Sequence, residues 1–270
     1  MKILVAALLG IVQGLTEFLP VSSSAHLILA RVFFGWEAPE FGLAFDVALH
    51  VGTLTAIIVF FRAEIAAMAA AIPSVLSPRA GAAGRLLRLI VLGTVPAVVA
   101  GVLFDDVIEA HLRTPAVAAC TLAAGAVLML VAERVRPQVR NESALDVRDA
   151  VLIGIAQASA LVPGVSRSGA TISVGMLLGM RRDAAARFTF LLGIPAIAGA
   201  GAREAVDLVR LQPADGMLLL FLVGMLTSAA VGYLTIKYFL RFLGGHRLDV
   251  FAYYRLALAL VTVLWLVTSP

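Results

Sequence analysis

Apolar residues in this chain run in stretches about as long as a lipid bilayer is thick. A helix needs about 20 mostly apolar residues to cross the hydrocarbon core, at about 1.5 Å per residue. Stretches 43–61, 86–104, 115–132, 185–202, 216–240 and 250–268 meet or approach that length, which predicts six transmembrane helices. Two of the six carry a glycine–proline break near the middle, LGTVP at 92–96 and LGIP at 192–195. The composition agrees: 61% of the residues are hydrophobic and 14% charged, against about 45–50% and about 25% in soluble domains. Disorder, fibrous repeats and an ordinary soluble enzyme are excluded. The one cysteine, Cys120, sits in an apolar run and rules out an internal disulfide or a cysteine metal cluster.

Two further apolar regions, 3–34 and 150–180, are each split by a polar, proline-containing centre. In the first the centre is QGLTEFLPVSSSAH at 13–26; in the second it is QASALVPGVSRSGAT at 157–171. Neither half is long enough to span. Irregular backbone at membrane depth survives only where protein or a water-filled cavity satisfies its polar groups. Both regions therefore read as re-entrant helix–loop–helix hairpins with tips near mid-membrane. The first begins with Lys2 and an apolar run, as a signal peptide would, but a single positive residue and the interruptions at Gln13, Thr16, Glu17 and Pro20 argue that it is retained.

The hairpins resemble one another. Gly10, Ile11, Gln13, Val21, Ser22 and Ser24 meet identical residues at 154, 155, 157, 165, 166 and 168. This implies one membrane domain over 1–270, made of a first repeat at 1–133, a linker at 134–149 and a second repeat at 150–270. Each repeat is a hairpin followed by three spans, and three is odd, so the second copy is expected inverted. The glycine–proline-broken helices also recur, one after each hairpin. Inverted repeats with short, interrupted segments point to a site at the repeat interface.

Charge placement orients the chain. Arg62, Arg79, Arg85 and Arg88, then Arg134, Arg136, Arg140 and Arg148, then Arg181, Arg182, Arg187, Lys237, Arg241 and Arg247 gather in alternate loops. The opposite loops, 105–114 and 203–215, are mainly acidic, with Asp105, Asp106, Glu109, Glu204, Asp207 and Asp215 against Arg113, Arg203 and Arg210. The positive-inside rule makes the first set, with the linker, cytoplasmic and both termini external. It also accounts for the net charge of +4 without nucleic acid.

A charge at the bilayer centre costs about 2.5–3.5 kcal/mol, so Glu17 and Arg167 need a reason to be there. They could pair and hold the hairpins together, but such a pair would not require the company they keep. Ser22, Ser23, Ser24 and His26 crowd one tip; Ser166, Arg167, Ser168 and Thr171 crowd the other, with amides at Gly164 and Gly169. Hydroxyls, glycine amides, helix N-termini and a guanidinium fork together describe an anion cradle suited to phosphate. Gln13 and Glu17, four apart on one helix face, offer hard oxygens to Mg²⁺ or Ca²⁺. His26 can act as an acid–base group or as a nucleophile. Asp46 and His50, four apart in the first span, could line the same cavity, and Arg255 after Tyr253 and Tyr254 reads as an interfacial anchor.

At these tips the chain resembles the BacA/UppP family of undecaprenyl-diphosphate phosphatases, the bacitracin-resistance proteins. QGLTE at 13–17 fits that family's [E/Q]-x-x-x-E segment, and PGVSRSGAT at 163–171 reproduces its P-G-x-S-R-S-x-x-T motif in full, with LPVSSSAH at 19–26 between helices. Gln13 leaves Glu17 as the only carboxylate of the first motif, and SSSAH stands where many relatives have SSTGH. The resemblance implies an integral hydrolase of the bacterial plasma membrane. It would remove the terminal phosphate of undecaprenyl diphosphate, a polyprenyl diphosphate lipid, recycle the carrier for peptidoglycan synthesis and confer bacitracin resistance. A divalent cation as cofactor, a pocket open to the periplasmic side and room for a homodimer go with that reading. A lipid-phosphate or anion flippase would need the same cradle; a nucleophile with a metal ligand separates the two. Ser23 activated by His26, three residues on, is the preferred attacker, ahead of His26 itself and of metal-bound water.

Overall fold

The computed structural model describes residues 1–36, 38–75, 77, 80–135, 137–211 and 217–268. Of the loop charges read above, Arg79, Arg136 and Asp215 lie outside the described residues, as do the side chains of Asp105, Glu109, Arg203, Glu204, Asp207 and Arg210. The described chain is helical: α1 (Lys2–Thr16), α2 (Ser23–Phe34), α3 (Leu43–Phe60), α4 (Arg62–Ala70), α5 (Ala82–Leu112), α6 (Pro115–Val135), α7 (Val147–Ser159), α8 (Arg167–Leu177), α9 (Arg182–Leu211), α10 (Met217–Leu243) and α11 (Asp249–Thr268).

Five of these are long and apolar enough to cross a membrane: Ala82–Phe104, Pro115–Val135, Arg182–Ala202, Met217–Leu243 and Asp249–Thr268. The sixth expected span, 43–61, is part of a bent pair, α3 and α4, that turns by 76° at Phe61. Phe61 is fully buried there, edge-on to Phe60 and near Phe190, so the bend is packed into the core.

The expected glycine–proline breaks are absent. Helices α5 and α9 run without interruption through Pro96 and Pro195. Within a membrane, neighbouring helices can satisfy the carbonyl that a proline leaves free, so the helix persists. The adjacent glycines serve close packing. A Cβ on Gly154 of α7 would lie 2.2 Å from the Gly93 carbonyl of α5, and one on Gly10 of α1 would lie 2.6 Å from the Gly224 carbonyl of α10. Small residues at helix crossings are the usual means of bringing helices together where lipid supplies no hydrophobic drive.

Part of the helix pairing is unchanged by an exchange of helices, although α8 packs on α9 and on α6 without counterpart pairs of comparable extent for α2. Helix α1 packs on α10 and α7 on α5; α3 packs on α10 and α9 on α5; α3 also packs on α9, and α6 on α11. Exchanging α1 with α7, α3 with α9, α5 with α10 and α6 with α11 leaves that set of pairs unchanged.

Candidate active site

The two short helix pairs meet at their tips. Helix α1 stops at Thr16 and α2 starts after Ser22; α7 stops at Ser159 and α8 starts after Ser166. Ser22 (φ 74°) and Ser166 (φ 70°) are the non-glycine residues with positive φ among the described ones. Each caps the helix it precedes, accepting from the amide of Ala25 or Gly169. Each also shares a hydrogen bond with the serine two positions on, Ser24 at 3.2 Å and Ser168 at 3.3 Å. Non-glycine residues in this region cost about 1–3 kcal/mol each and persist where the surroundings fix them, often at functional sites.

The tips are also tied to each other. Ser168 donates to the Leu19 carbonyl (2.9 Å), and the Gly164 amide donates to Ser24 Oγ (3.4 Å). Arg167 donates to Glu17 Oε1 at 2.7 Å and to the Gly193 carbonyl of α9 at 3.1 Å. The other oxygen of Glu17, Oε2, accepts from Ser23 Oγ at 2.6 Å and from Gln13 Nε2 at 3.0 Å. His50 of α3 donates from Nδ1 to the Asp46 carbonyl (2.8 Å), which sets Nε2 3.7 Å from Glu17 Oε2. Asp46 is itself gripped by Arg31 and Arg113.

Glu17, Ser22, Ser23, Ser24, His50, Gln157, Ser166 and Arg167 line one cavity of about 530 Å³. Its remaining wall is apolar or glycine, chiefly from Ala97 to Val102 on α5 and from Pro195 to Gly201 on α9, with Val47, Ala160 and Leu161. The residue alternation at the first tip explains the arrangement. Glu17 faces the cavity, while Phe18, fully buried, meets Phe190 edge-on at 5.4 Å and anchors the turn in the main core.

Residues 6–261 match the family model described as bacitracin resistance protein BacA. The chain belongs to that family. It is 48% identical over 262 residues to an undecaprenyl-diphosphatase of Rubrobacter xylanophilus, covering 96% of each chain. An undecaprenyl-diphosphatase of Thermomicrobium roseum is 43% identical over 274 residues, covering 98% of each, and one of Geobacter sulfurreducens 46% over 258 residues, covering 95% of each.

Within this member of the family, several residues expected to face a phosphate do other work. The Gly164 and Gly169 amides are spoken for by Ser24 and Ser166. Thr171 donates to the Arg167 carbonyl (2.6 Å) and accepts from Thr189 (3.0 Å); like Ser168, it ties the tip rather than lining the cavity. His26 is not partnered with Ser23. Its Nδ1 meets the Ser22 carbonyl and its Nε2 the Tyr254 hydroxyl, both at 2.7 Å, on the side of α2 that faces α11. Helical spacing put Ser23 and His26 near one another, but the first turn of α2 directs Ser23 to Glu17 instead.

Arg255 is the largest departure. It is no interfacial anchor: it is fully buried. Its guanidinium donates to the carbonyls of Pro20 at the first tip, Gly164 and Val165 at the second, and Thr121 and Leu122 of α6, at 2.9–3.2 Å. Gly125 makes room, since a Cβ there would lie 2.0 Å from Arg255 Nη2. One cation thus binds both tips through their backbones. Its position inside an apolar run, five residues past Val250, was the available signal.

The donor set can be compared with the needs of a divalent cation. Gln13 is fully buried and does not line the cavity; it presents Nε2 to Glu17, and its Oε1 has no hydrogen-bond partner. Among the described residues no three His, Cys, Asp or Glu side chains converge as a metal cage. Magnesium usually takes one or two carboxylates and draws its other oxygens from substrate phosphates and water. Glu17 fits that mode as the one carboxylate, and Gln13 would join it once its amide turned over to present Oε1.

Proposed function

We propose that this chain hydrolyses undecaprenyl diphosphate to undecaprenyl phosphate and inorganic phosphate, returning the lipid carrier to peptidoglycan synthesis. Family membership supports the reaction. The linked side chains of Ser23, Glu17 and Arg167 at the polar end of an otherwise apolar cavity carry the assignment of the site. Phosphoanhydride cleavage passes through a loose transition state, so positioning and charge neutralisation supply most of the catalysis. Arg167 takes the terminal phosphate as its fork exchanges Glu17 for phosphate oxygens, with Ser22, Ser24 and Ser166 as neutral donors. Ser23 Oγ attacks the terminal phosphorus and passes its proton to Glu17 Oε2. The anhydride bond breaks and undecaprenyl phosphate leaves. Water then attacks the phosphoserine phosphorus, the Oγ–P bond breaks, Glu17 returns its proton to Ser23 Oγ, and inorganic phosphate leaves carrying the elements of water. Glu17 displaces His26 as the base because it holds the Ser23 hydroxyl.

Glu17 Oε1, freed as Arg167 turns to the phosphate, and Gln13 would hold Mg²⁺ or Ca²⁺ together with the diphosphate, leaving Oε2 for the Ser23 proton; the ion would supply charge neutralisation. The cavity opens toward the periplasm in this reading. The wall residues of α5 and α9 lead toward the C-terminal ends of these helices, at 105–112 and 203–211, which the arginine distribution places outside. The shortness of α1, α2, α7 and α8 supports reading the tips as re-entrant, and the partial exchange of helix pairs supports reading the halves as an inverted repeat. Phosphate release from undecaprenyl diphosphate by the purified protein, with and without EDTA, tests the reading. Release that falls at least tenfold with chelator and returns with Mg²⁺ or Ca²⁺ supports it in full. Release indifferent to chelator removes the cation and leaves the serine route; no release at all rejects the activity.

A further inference from the structure

A second cavity, of about 510 Å³, lies beside the first between α4, α5 and α9. It runs past Ile65, Met68 and Ile72 on one side, Leu87 and Val91 on α5, and Ile194 on α9. Its lining is apolar apart from Thr94, whose hydroxyl is satisfied by the Ile90 carbonyl at 2.7 Å. No polar group therefore asks for a polar ligand. Val98 and Pro195 line both cavities, so the apolar groove begins where the phosphate cavity ends.

We infer that this groove holds the leading isoprene units of the substrate, with the diphosphate in the polar cavity and the chain passing between Val98 and Pro195. The inference rests on the polyprenyl diphosphate reading above. An ordinary phospholipid keeps its headgroup at the membrane surface and its acyl chains alongside. Occupying both cavities at once requires an amphiphile whose charged head is drawn to mid-membrane while its tail stays in hydrocarbon. The groove cannot gain much from hydrophobic transfer, because the tail leaves lipid as apolar as itself. Its contribution is orientation: a tail confined along α5 holds the phosphorus against Ser23. The 510 Å³ volume accommodates part of an undecaprenyl chain, and the remainder lies in the bilayer.

The test uses the full chain in lipid nanodiscs and a prenyl diphosphate carrying a photoreactive diazirine on its third isoprene unit. The expected result is crosslinking to α5 between 87 and 98 and to 191–195, abolished by excess undecaprenyl diphosphate. Val91→Trp fills the groove at an exposed position, where the fold tolerates it; it should lose those crosslinks and at least tenfold in kcat/KM for undecaprenyl diphosphate. Val127→Trp, exposed on α6 outside the groove, should change neither. Crosslinks spread over the lipid-facing helices, or a Val91→Trp protein that crosslinks and turns over normally, overturn the inference. Failure of the activity itself looks different: the unsubstituted protein would release no phosphate, whatever the crosslinks show.

Discussion

Ser23 Oγ lies 2.6 Å from Glu17 Oε2, and that hydrogen bond joins the two halves of the first hairpin at its tip. The carboxylate is held in place from its other oxygen by Arg167 of the second hairpin, at 2.7 Å. The proposed nucleophile, base and phosphate clamp thus form one connected unit across two polar turns. Groups that act as a unit lose their effects together, so removals within it should not add. Glu17→Gln and Ser23→Ala should each abolish most phosphate release, and the double variant should be no worse than the more impaired single one. His26 stands outside that unit, bonded to Tyr254, so His26→Ala combined with a partial Glu17→Asp defect should multiply. Non-additivity of His26 with Ser23 would return His26 to the role of base.

Arg167 tests the clamp. Its fork reaches the Glu17 carboxylate and the Gly193 carbonyl in two directions, which a lysine ammonium cannot reproduce. Loss of one preorganised donor to a developing anion costs about 10²–10³ in rate. Arg167→Lys should fall by that order in kcat with the thermal midpoint nearly unchanged. Full activity in folded Arg167→Ala protein would reduce the residue to a structural tie.

Arg255 should register in stability as well as rate. Arg255→Met strands several buried carbonyls, and each unsatisfied buried group costs about 1–3 kcal/mol. The expected outcome is a clearly lower thermal midpoint in detergent together with impaired turnover. Arg255→Lys, with three donors on one centre, should recover part of each. An unchanged midpoint and rate in Arg255→Met would show that the tips hold without it.

Topology follows from charge. With Cys120, which is exposed, replaced by alanine, cysteines introduced one at a time within 105–114 should react with a membrane-impermeant maleimide from outside the cell. Cysteines within 241–249 should react only after permeabilisation. The reverse pattern would invert the orientation and place the cavity mouth on the cytoplasmic side.

Much of this architecture is legible in the sequence because lipid enforces it. Apolar runs of sufficient length locate the spans, and polar, proline-containing centres locate the tips at Glu17–Ser24 and Ser166–Arg167. What periodicity misreads is direction. Ser23 and His26 share a helical spacing, yet the positive φ of Ser22 starts α2 at an angle that sends one hydroxyl to Glu17 and the imidazole to Tyr254. Glycine–proline pairs read as breaks, yet Gly93 is the room for a crossing and Gly193 exposes a carbonyl to Arg167. The Arg255 role needs five carbonyls from three distant segments to converge, and no local pattern encodes that. His50 enters the cavity only because α3 packs beside α1.

The attack by Ser23 is the claim on which the rest depends, and phosphate release by purified Ser23→Ala protein tests it most directly. In detergent or nanodiscs with undecaprenyl diphosphate, and with folding verified by thermal midpoint, turnover should fall at least a thousandfold below the unsubstituted chain. Turnover within a few-fold of normal would contradict a serine nucleophile and leave the phosphorus to water or to His26.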